Sequence, residues 1–187
     1  MAVFLHLTSR AYEAVRAHLL QDNSEQAAFL FITTDLRKNE CTLEVVEYYL
    51  VPEGELAGGG DPYYLELTDE AKSKVIKMAS DRKTALGEAH SHPFSLSRCS
   101  FSPSDLEGFK EFVPHVWWRL RGKPYLALVM GQRSFDALVW LKDPETPTAL
   151  DGLMLDRIRS LKPTGLTITN LKRKRSRGDD RIPIFQK

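Results

Sequence analysis

The residues of this sequence best placed to do chemistry lie between Gly87 and Phe109, in GEAHSHPFSLSRCSFSPSDLEGF. His90 and His92 stand two apart in a segment that reads as a strand, so both imidazoles project from one face and a single metal ion can take both. Asp105 follows at the start of a predicted helix, where one loop brings it back beneath the histidines to supply an oxygen. Two His, one Asp and a water make the open three-ligand shell of a catalytic zinc rather than the closed shell of a structural one. Ser102 and Asp105 also have a plainer reading. Ser-Pro-Ser-Asp is a good helix start, with Ser102 as N-cap, Pro103 at the first helical position and Asp105 in the first turn. The two readings are compatible.

Water activated by zinc needs a partner to take its proton and later hand it to a leaving amine, a task that suits a glutamate held beside the metal. The residues alone leave several open. Glu88 shares the strand face of His90, Glu40, Glu44 and Glu47 belong to an upstream strand or its turn, and Glu25 precedes the apolar run AAFLFITT.

The elements that must position these groups follow from pattern. Val3 to Leu7 reads as a short strand, and Thr8 or Ser9 caps a helix to about Gln21 with Ala11, Val15 and Leu19 on one stripe. Ala27 to Thr34 and Cys41 to Val51 read as an antiparallel pair joined through Leu36 to Glu40. Pro52 to Pro62, with Gly58-Gly59-Gly60, has the composition of a surface loop, and Tyr63 to Leu67 reads as a further strand. Thr68 caps a helix through about Asp81. Ala85 to His92 is the strand that carries both histidines, Phe94 to Phe101 a loop, and Ser102 opens a helix that Pro114 is expected to end or bend.

Tyr125 to Met130 and Phe135 to Leu141 around Gly131-Gln132-Arg133-Ser134 form a hairpin signal. Asp143 to Pro147 reads as a linker, Leu150 to Leu161 as a last helix and Thr164 to Asn170 as a short edge strand. The sum is an α/β sandwich whose mixed, largely antiparallel sheet packs against helices. Residues 1–150 are expected to form the main domain, 151–170 a helix and strand extension, and 171–187 a basic, flexible tail.

At 187 residues, 42% hydrophobic and 27% charged, the chain has the length and composition of one well-buried soluble domain. Cys41 and Cys99 are far apart and form no CxxC pair, which supports neither a disulfide framework nor a cysteine-rich zinc site. No apolar run approaches the roughly 18 residues of a membrane span. Met1 to Leu7 is too short and uncharged at its start for a secretory signal, so a cytoplasmic location without membrane contact is expected. Residues 171–187 carry seven Lys or Arg against two Asp, which leaves 19 basic against 23 acidic side chains in the first 170 residues. Nucleic acid is an unexpected partner for such a mildly acidic body, since phosphate contacts call for a basic face.

HSHP followed by SPSD resembles the JAMM signature of the MPN (JAB) zinc metalloprotease family: His-x-His-Pro, a loop, then Ser-x-x-Asp, with a Glu far upstream. The connection from Pro93 to Ser104 is longer than the family's usual spacing, an extension that costs little loop-closure entropy. The resemblance covers roughly residues 5–141 and implies the MPN fold, related to JAB and cytidine-deaminase-like folds. It implies Zn²⁺ on His90, His92 and Asp105, Glu25 as the catalytic base and Ser102 as the donor that steadies the oxyanion. It further implies a stand-alone, prokaryotic-type isopeptidase resembling deubiquitinases. Its substrate would be the C-terminal tail of ubiquitin or a ubiquitin-like protein, and its partners the E1/E2-like proteins of a bacterial conjugation pathway. The alternatives are a non-catalytic MPN scaffold and a RadC-type relative linked to DNA.

Overall fold

In the computed structural model, which describes residues 1–57 and 65–176, a nine-stranded mixed sheet is flanked by helices on both faces. The chain begins with β1 (Ala2–Leu7), α1 (Ser9–Leu19), β2 (Ala27–Leu36) and β3 (Glu40–Leu50), then α2 (Asp69–Arg82), β4 (Ala85–Ser91) and α3 (Pro103–Arg119). It continues through β5 (Tyr125–Met130), β6 (Phe135–Trp140), β7 (Thr148–Ala149), β8 (Gly152–Leu155), β9 (Arg159–Leu161) and α4 (Leu166–Ser176). Strand order is β7-β6-β5-β4-β2-β3-β1-β8-β9. β1 runs parallel to β3 and β8, and β4 parallel to β5; the other pairs are antiparallel. Among the described residues no helix is long and apolar enough to cross a membrane.

Period-2 alternation splits the core into two clusters, one on each face. On one face Leu5, Leu30, Ile32, Leu126 and Leu128 pack against Val15 and Leu19 of α1. On the other, Phe29, Phe31, Leu86, Tyr125 and Trp140 meet Val75, Ile76 and Ala79 of α2 and Phe109, Val113 and Val116 of α3. Three helices start where a hydroxyl answers an orphan amide: Thr8 Oγ1 accepts from Ala11 N, Thr68 Oγ1 from Ala71 N and Ser102 Oγ from Asp105 N.

Several expectations are corrected. α3 continues through Pro114 to Arg119 instead of ending there, because Phe109, Val113 and Val116 are buried on both sides of the proline. That packing offsets the roughly 3 kcal/mol a helix-interior proline costs. Leu150 to Leu161 is strand, not helix: Leu5 pairs with Leu153 and Leu7 with Leu155, and the Asp151 carboxylate accepts from Val3 N at 2.7 Å. A Cβ on Gly152 would approach the Phe4 ring to 3.3 Å, a tight contact that glycine avoids. Asp156 and Arg157, both with positive φ, turn the chain into β9. Thr164 to Asn170 is the start of a helix, not an edge strand. The buried Asp136 carboxylate accepts from Gly165 N and Thr167 N and so supplies the N-terminal partners of α4 from β6. Residues 171–176 continue that helix rather than beginning a tail. The glycine run 58–60, Tyr63 and Tyr64 of the expected strand, and the tail from 177 onward lie outside the described residues. Within that strand's range, Leu67 forms an isolated bridge to Leu56.

Candidate metal centre

β4 sends Leu86, Glu88 and His90 to the α3 face, and Gly87 and Ala89 to the α1 face. Its antiparallel pairing with β2 sets Ala27 opposite His90. Continued two residues further, that register brings Glu25 opposite His92. The junction is locked because Gln26 N donates to Ser91 Oγ at 2.9 Å and Ser91 N to the Gln26 carbonyl at 3.1 Å. His18 adds a 3.0 Å contact to the Ala27 carbonyl. Glu25, distant in sequence, is thereby placed with its Oε1 3.5 Å from His92 Nε2.

Asp105 arrives from below on the first turn of α3. Its Oδ2 accepts from Ser102 N at 2.6 Å while Ser102 Oγ accepts from Asp105 N, the reciprocal bonds of a capping box. The same Oδ2 lies 3.5 Å from His90 Nε2 and 3.4 Å from His92 Nε2. These spacings are long for hydrogen bonds. They match the separation of about 3.3 Å between ligand atoms that sit about 2.0–2.1 Å from a tetrahedral zinc. One ligand atom from each of His90, His92 and Asp105 falls within 4.8 Å of the others. His90 Nε2 is buried without a hydrogen-bond partner, an orphan a cation would satisfy. The donor set therefore fits a divalent metal with three protein ligands and an open position.

The charges point the same way. Burial would raise the Asp105 carboxyl, yet the facing His90 and His92, with the Ser102 amide, hold it far below the usual carboxylate range. Burial would lower the His90 imidazole, but Asp105, Glu88 and Glu25 together raise it. This cluster of carboxylates favours a positive charge at its centre.

Glu88 is set apart from the other candidates. Tyr125 Oη donates to its Oε2 in a short hydrogen bond, and its Oε1 stands 4.0 Å from His90 Nδ1, on the side of the ring away from Asp105. Burial pushes the Glu88 carboxyl up, and burial beside Glu88 pushes the Tyr125 phenol up. Glu44 is engaged by Arg157 and Glu47 by Arg82, while Glu40 is exposed at the start of β3. None of these three lines the site.

All five residues named from the sequence, Glu25, His90, His92, Ser102 and Asp105, line one cleft of about 820 Å³, a size suited to a ligand. Its walls include Leu65, Leu67 and Lys72 on one side and Phe112 and His115 of α3 on another. Tyr125 and the cleft residue His115 were not singled out in the sequence. Tyr125 is reached only through the parallel register of β4 with β5, whereas His115 carries a signal, falling on the α3 face of Gly108 and Phe112 at helical spacing.

No family profile matches this chain, and no curated protein matches it. Among solved structures it is similar to a protein of Desulfitobacterium hafniense at 16% identity. That match covers 82% of this chain and 93% of the other, with a TM-score of 0.47. It is also similar to a Salinibacter ruber protein at 18% identity, over 87% and 96% of the two chains, with a TM-score of 0.43. Neither likeness bears on the chemistry.

Proposed function

We propose that this chain is a zinc-dependent isopeptidase of the JAMM type, built on an MPN-like α/β fold. It would cut after the C-terminal tail of ubiquitin or a ubiquitin-like protein, in deconjugation or precursor processing. The observation that carries the hydrolytic reading is the convergence of His90, His92 and Asp105 at metal-ligand spacing, with the Glu25 carboxylate beside them in an open cleft. The substrate class comes from the resemblance of HSHP and SPSD to that family.

When bound, zinc supplies Lewis-acid activation of water and of a substrate carbonyl. Glu25 takes the proton of the attacking water and returns it to the amine nitrogen as the amide C–N bond breaks. Ser102 Oγ, 2.8 Å from Ser104 Oγ, offers its hydroxyl hydrogen to the carbonyl oxygen as negative charge develops there. The longer His92-to-Asp105 connection does not misplace Asp105, which faces both imidazoles. That complete ligand set favours an enzyme over a non-catalytic scaffold.

The test combines metal analysis with cleavage of ubiquitin-like fusions. One zinc per chain is expected in both wild type and Glu25→Gln, with turnover lowered about 10²- to 10⁴-fold in the variant. Folded wild type that takes up no zinc, or a zinc-loaded variant that cuts at the wild-type rate, overturns the proposal.

A further inference from the structure

The connection from Pro93 to Phe101 has no regular structure, yet it must deliver Asp105 to the histidines. It is held from outside. On one flank the β5–β6 hairpin stitches its first half: Gln132 N donates to the Ser95 carbonyl, Arg133 N to that of Leu96, and Gln132 Nε2 to that of Pro93. Cys99 N donates to Ser134 Oγ at 3.1 Å. A Cβ on Gly131 would stand 2.4 Å from the Ser95 carbonyl oxygen, so that close approach requires glycine.

The last residues before the capping box are held differently, by the start of α4. Thr164 Oγ1 donates to the Cys99 carbonyl at 2.7 Å, and Phe101 N donates to Thr167 Oγ1 at 3.1 Å. Thr167 is only 3% exposed and Asp136 1% exposed. The Asp136 carboxylate accepts from Thr167 N at 2.9 Å and from Gly165 N and Ala137 N at 3.0 Å, fixing the threonine pair to a fully buried strand. Phe101 immediately precedes Ser102, whose amide and hydroxyl orient Asp105. Hydrogen bonds from β6 to Thr167 and from Thr167 to Phe101, continued by the peptide link from Phe101 to Ser102 and the Ser102 amide's bond to Asp105, thus connect a buried strand to a metal-ligand candidate.

We infer, on the metal reading above, that the Asp136–Thr164–Thr167 cluster is part of the site: these are positioning residues that fix the approach to the Ser102 capping box and so aim Asp105 at the two histidines. Groups that orient a ligand from outside its shell typically govern metal affinity. Thr167 is the sharpest member to probe. Valine keeps its shape and removes the acceptor of the Phe101 amide, whereas serine keeps the hydroxyl.

The experiment compares full-length wild type, Thr167→Val, Thr167→Ser and Thr8→Ala, the last losing a helix cap on the opposite face as a control for stability alone. Zinc affinity is read by competition with a chelator, and hydrogen exchange is followed at the Ser102 and Asp105 amides without metal. Thr167→Val is expected to weaken zinc binding about tenfold or more and to speed exchange at both amides. Thr167→Ser should restore both, and Thr8→Ala should change neither. Wild-type zinc affinity in Thr167→Val overturns the inference. Should wild type bind no zinc, the metal reading fails by itself and the exchange still decides, since unchanged protection of Ser102 and Asp105 in Thr167→Val overturns the positioning role.

Discussion

The two faces of the sheet are built from the same strands and both bury apolar cores, but they differ in what β4 adds to them. On the α1 face every side chain drawn from β4 is small or absent: a Cβ on Gly87 would press on Ile32 Cδ1 at 2.9 Å, and the isoleucine would have to shift. The surrounding cluster of Leu5, Leu30, Leu43 and Leu128 is apolar and closed. On the α3 face the alternate residues of that strand are Leu86, which joins the core, and then Glu88 and His90, over which the helices leave a cleft. Burying carboxylates and an imidazole whose Nε2 lacks a partner is costly. The comparison teaches that both faces hold the fold through apolar cores of their own, while the α3 face alone also buries polar groups that a cation would satisfy.

Substitutions that strike one face and spare the other sharpen this contrast. Asp105→Ala should abolish zinc binding, lowering affinity by more than about 100-fold. It should cost only about 1 kcal/mol of stability through the lost cap, as metal analysis beside thermal unfolding would read. Leu30→Ala should behave inversely, losing about 2–5 kcal/mol of unfolding free energy with zinc affinity unchanged in the folded fraction. Loss of zinc in this variant would break the separation of the two faces. Ser102→Ala belongs to both roles, and its smaller effects divide accordingly. Turnover should fall about 100-fold, while denaturant unfolding should show about 1 kcal/mol lost; unchanged kinetics would leave only the helix cap.

Legibility follows the range of the interactions. Helices α1, α2 and α3 announce themselves through Thr8, Thr68 and Ser102, each bonding an amide three residues on. β5 is a continuous apolar run and β6 an apolar run interrupted only by Asp136, on either side of a four-residue turn. β8 is different: Leu153 and Leu155 are strand residues because β1, almost the whole chain away, offers them a parallel edge. α4 is hidden for a similar reason, since Asp136 in β6 supplies the carboxylate that anchors its start. At the site, the His90 and His92 pair was readable because one strand sets it, and Asp105 because its own helix start marks it, while the connection between them is held by distant segments. The Tyr125 bond to Glu88 and the Thr167 bond to Phe101 depend on how separate segments meet, which spacing along the chain does not encode.

The two cysteines happen to divide between the faces, Cys41 in the α1 cluster and Cys99 in the α3 cluster, where its Sγ reaches toward the Val129 carbonyl. Burial raises both thiols, that of Cys99 to about 12, so neither presents a thiolate to solvent at neutral pH while the protein is closed. Each is therefore a native chemical clock. Its rate of alkylation measures how often its own side of the sheet opens, and Cys99 times the connection that carries the histidines to Asp105.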